Sequence, residues 1–93
     1  MSQDTNIDAL YTTADKFINL ANELSQKDTS GTVGSALRYA AARYSAFEAS
    51  MVSKDMKEER EAIKEALIKD YGLMLDSNLD TYIQYLESQA EKK

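Results

Sequence analysis

Thr32-Val33-Gly34-Ser35-Ala36-Leu37-Arg38-Tyr39-Ala40-Ala41-Ala42-Arg43-Tyr44-Ser45-Ala46-Phe47-Glu48-Ala49-Ser50-Met51 is the stretch that decides the fold class. At about 100° per residue, Val33, Leu37, Ala40, Tyr44, Phe47 and Met51 fall on one apolar face, and alanine, serine or glycine fills most of what remains. A helix that is small on nearly every side lets neighbours approach closely from more than one direction, so it reads as the central element of a helical domain. Arg38 points almost opposite the apolar face and is expected to be exposed. Arg43 lies at one border of that face and Glu48 at the other.

Upstream, Ile7, Leu10, Tyr11, Ala14, Phe17, Ile18, Ala21 and Leu24 recur at spacings of three and four, which predicts an amphipathic helix over about 6–25. Thr5 with Asp8 forms a capping-box-like pair at its start. Asp15 and Asn22 sit at the edge of the apolar stripe. Ser25 to Gly31 interrupts the periodicity with turn formers, a loop joining two antiparallel helices. Thr29 or Ser30 can cap the second helix, predicted over 32–51. Gly31 and Gly34 lack the following pattern that would make them a phosphate loop.

Downstream, Asp55 with Glu58 repeats the capping-box spacing and predicts a third helix over 55–75, with Met56, Ile63, Ala66, Leu67, Tyr71 and Met74 on its apolar side. The charged residues from Lys57 to Lys69 alternate in sign and read as a solvated face. Asp76-Ser77-Asn78 then offers a break, with Ser77 and Asp80 capping a fourth helix over 78–90 that carries Leu79, Tyr82, Ile83 and Leu86. The alternative is one helix from Asp55 to Ala90, since no proline forbids it and Leu75, Leu79, Tyr82 and Leu86 continue a heptad-like stripe. The break is the reading preferred at this point.

Composition agrees. The chain has no proline and three glycines, and is rich in Ala, Leu, Glu and Lys, which suits helices and not sheets. The expected architecture is all-α: a single domain over 1–93, a small antiparallel three- to four-helix bundle, with dimerisation as a route to completing its modest core. Eleven basic residues against sixteen acidic ones give a net charge of −5, which argues against a phosphate-backbone binder. Absence of histidine and cysteine removes the commonest general base, thiolate nucleophiles and the commonest transition-metal ligands. No metal-ligand spacing is present, and no cofactor is expected. The polar start of the sequence and the lack of a long apolar run predict neither secretion nor membrane insertion, leaving the cytoplasm.

The segments Asp15 to Asn22, Gly31 to Phe47 and Met74 to Tyr82, with Ala40-Ala41-Ala42-Arg43-Tyr44 and Ala46-Phe47 as the most distinctive part, resemble a family of small bacterial proteins catalogued as domain-of-unknown-function family 3144. The resemblance implies a bacterial, cytoplasmic, all-helical protein with no assigned activity. It transfers no catalytic residue, but Asp15, Asn22, Arg43 and Asn78 are polar residues inside the matching segments.

Two functional readings follow. The first is a helical protein-interaction module, most readily a homodimer, without enzymatic activity and without nucleic-acid or membrane partners. Its support is small size, the Ala-rich helix and tyrosines that suit an interface. The second is a binder of a small anionic or nucleotide-like ligand at Arg43, with Tyr39 or Tyr44 stacking nearby and Asp15 and Asn22 as further candidate binding residues. A guanidinium at that border needs a partner, and Asp15 is the candidate for a structural ion pair.

Overall fold

The helix-favouring stretches become three helices in the computed structural model, which describes residues 3–92 of the chain and the side chains from Ile7 onward. They are α1 (Gln3–Lys27), α2 (Thr32–Val52) and α3 (Met56–Glu91), and no strand occurs among the described residues. The all-helical class expected from composition is therefore observed, with three helices and not four. The backbone is already helical at Gln3, earlier than the start expected near Thr5, so Thr5 lies inside the first turn; its side chain is outside the described residues.

Four residues connect α1 to α2, and their chemistry makes the turn. Asp28 Oδ1 accepts a hydrogen bond from the Ser30 backbone N–H at 3.0 Å, the local side-chain bond by which aspartate stabilises a turn. Ser30 Oγ accepts in turn from the Thr32 N–H at 3.3 Å, so a serine expected to cap α2 does bond into its first turn. Gly31 has φ +94°, a left-handed conformation that side chains with a Cβ rarely adopt, and its carbonyl accepts the Ser35 N–H at 3.4 Å.

The start of α3 follows the predicted capping pattern. Asp55 is extended, with φ −151° and ψ 90°, and its Oδ1 accepts the Glu58 N–H at 3.2 Å. Ser53 just outside the helix donates its hydroxyl to Glu59, which ties the incoming chain to the first turn. Glu58 and Glu59 there also lie favourably on the helix dipole.

The break preferred near 76–78 is corrected: α3 is one helix from Met56 to Glu91, 36 residues or about 54 Å at 1.5 Å per residue. The physical reason is that nothing in this run removes a backbone hydrogen bond, and the polar side chains here find partners on the helix itself. Asn78 donates its amide to the Met74 carbonyl at 2.8 Å, and Thr81 donates its hydroxyl to the Ser77 carbonyl at 3.1 Å. Residues that can cap a new helix bond back onto the existing one, and with no proline or glycine at that point the ladder continues.

The chain divides into two compact units, Met1–Tyr44 and Ser45–Lys93. The first holds α1 and the beginning of α2; the second holds the end of α2 and α3. No described residue is buried. Those that are half-buried are Ala14, Ala21 and Val33 in the first unit and Ser45, Ala49, Ser53, Ile63 and Gly72 in the second. Six of these eight are alanine, serine or glycine. Val33 and Ile63 are the large apolar residues among them, and the other large apolar residues from Ile7 onward are exposed.

Candidate functional site

An apolar groove lies within the first unit. It has a volume of about 550 Å³ and runs between α1 and α2. Phe17, Leu20, Ala21 and Leu24 form its α1 wall, and Val33, Ala36, Leu37 and Ala40 form its α2 wall. The sequence explains the pairing: apolar residues recur every three or four positions on both helices, and a four-residue turn brings the two stripes to one side. Lys27, Asp28 and Thr32 stand at the turn end. The walls are otherwise carbon, and the groove is open enough that Phe17, Leu20 and Leu24 remain 59%, 53% and 47% exposed.

Such a surface has little to offer a polar substrate. Its chemistry suits an apolar helix face laid into it, held by burial. Among the described residues there is no cluster of acidic side chains that could hold a metal ion.

The residues singled out from sequence lie elsewhere. Arg43, Asp15, Asn22 and Tyr44 are all exposed, and none lines the groove, whose α2 wall stops at Ala40. The expected Asp15–Arg43 ion pair does not form: the ion pair found among the described residues joins Arg60 to Glu61 on the surface of α3. The physical reason is exposure. Arg43 stands in solvent, where water solvates the guanidinium and no partner is required. Arg38 is exposed as expected and folds back along its own helix, with its guanidinium 3.4 Å from Ser35 Oγ. A Cβ at Gly34 would come 3.8 Å from Arg38 Nη1, an ordinary van der Waals contact, so this conformation of Arg38 does not require the glycine.

Sequence reasoning did not identify Leu20 or Ala36 as part of a site. Leu20 falls beside the main α1 stripe, and only the closeness of α2 makes it a wall residue.

The second unit carries a further apolar surface. Leu75, Leu79, Tyr82 and Leu86 line one side of α3 beyond its midpoint, with exposures of 42%, 51%, 67% and 62%. All six tyrosines of the chain are exposed, Tyr82 and Tyr85 a single turn apart. No helix among the described residues is long and apolar enough to cross a membrane.

Compared with known proteins, residues 10–83 match the model of a family described as protein of unknown function (DUF3144). No curated protein and no solved structure matches the chain.

Proposed function

The chain belongs to the DUF3144 family, and from that premise we propose that it works as a small helical interaction module that associates with a second copy of itself. The observation that carries this reading is exposure: no described residue is buried. A large apolar side chain contributes about 1.5–3 kcal/mol when fully removed from water, against about 1–2 kcal/mol for ordering each residue's backbone. Side chains left half exposed recover only part of that. Three helices of this length therefore call for more burial than the single chain supplies, and association between copies provides it, closing the helices into a bundle across subunits.

This reading includes no catalysis, in keeping with the absence of histidine and cysteine, and no nucleic-acid partner, in keeping with the net charge of −5. It places the protein in the cytoplasm, as the family resemblance implies; a fluorescent fusion concentrated at the cell envelope would oppose that location.

The test is thermal unfolding at several protein concentrations. If folding and association are one equilibrium, the midpoint rises with concentration. A midpoint independent of concentration over two decades would count against self-association.

A further inference from the structure

We draw no further inference here: the strongest candidate, the open apolar groove between α1 and α2 in the first unit, is an unpartnered face, and nothing in the structure shows what covers it.

Discussion

Asn78 donates its side-chain amide to the backbone carbonyl of Met74, one turn earlier, at 2.8 Å. That bond lies within the Asp76-Ser77-Asn78 run that marks a break in the sequence pattern, and it belongs to a helix that does not break there. The helix is continuous because nothing removes a backbone hydrogen bond, so the side-chain bond accompanies continuity and does not cause it. Asn78→Ala should therefore keep the ellipticity at 222 nm and change stability by less than about 0.5 kcal/mol. Ser77→Pro should cost about 3 kcal/mol or more, because it deletes a ladder bond and collides with the preceding turn. Loss of helicity in Asn78→Ala would show that the amide holds α3 together.

The glycines give opposite predictions from one geometric criterion. Gly72 lies inside α3 with nothing within 4 Å of where a Cβ would be, and its φ is negative. Gly72→Ala should stabilise the protein by up to about 1 kcal/mol in denaturant unfolding. Gly31, at φ +94°, also has open space, but alanine there is strained by the backbone itself. Gly31→Ala should cost about 1 kcal/mol. Destabilisation by Gly72→Ala would place a neighbouring copy against that position.

Arg43 and Asp15 should prove independent. Both are exposed and no ion pair joins them, so a double-mutant cycle with Arg43→Ala and Asp15→Ala should return a coupling energy within about 0.3 kcal/mol of zero. Removing one partner of a buried pair costs about 3–5 kcal/mol, an effect not expected for Arg43→Ala. A coupling above about 1 kcal/mol would restore the ion pair.

The α1–α2 turn should weaken in acid. Hydrogen bonds from Ser30, through its hydroxyl and its backbone N–H, hold the Asp28 carboxyl below its usual value. A lowered folded-state pKa adds stability above the unfolded value near 3.9, and that stability is lost as pH falls through the folded value. Asp28 should titrate by NMR with a midpoint below that of an unstructured aspartate, and Ser30→Ala should return the midpoint toward normal. An unshifted Asp28 in the intact protein would show that the turn is not held by this carboxylate.

Much of the helical class could be read directly. The spacing of Ile7, Leu10, Ala14, Phe17, Ala21 and Leu24 repeats every turn, and Asp55 with Glu58 marks a helix start that the structure reproduces at the Glu58 N–H. Continuity through Asn78 was less legible, because the same asparagine can cap a new helix or bond back to the old one, and the residue type does not distinguish them. The exposure of Arg43 was hidden for a different reason. A wheel places a residue relative to its own helix, and Arg43 at the border of an apolar face looks buried until the neighbours are known. Likewise Leu20 became a groove wall through the approach of α2, a relation between helices that no single helix encodes.

On the proposed self-association, this chain needs a second copy to complete its core. Light scattering on the purified protein across a hundredfold range of concentration tests it most directly. The account predicts a species of twice the 10.4 kDa chain mass over most of that range. A folded species of single-chain mass at every concentration would contradict it.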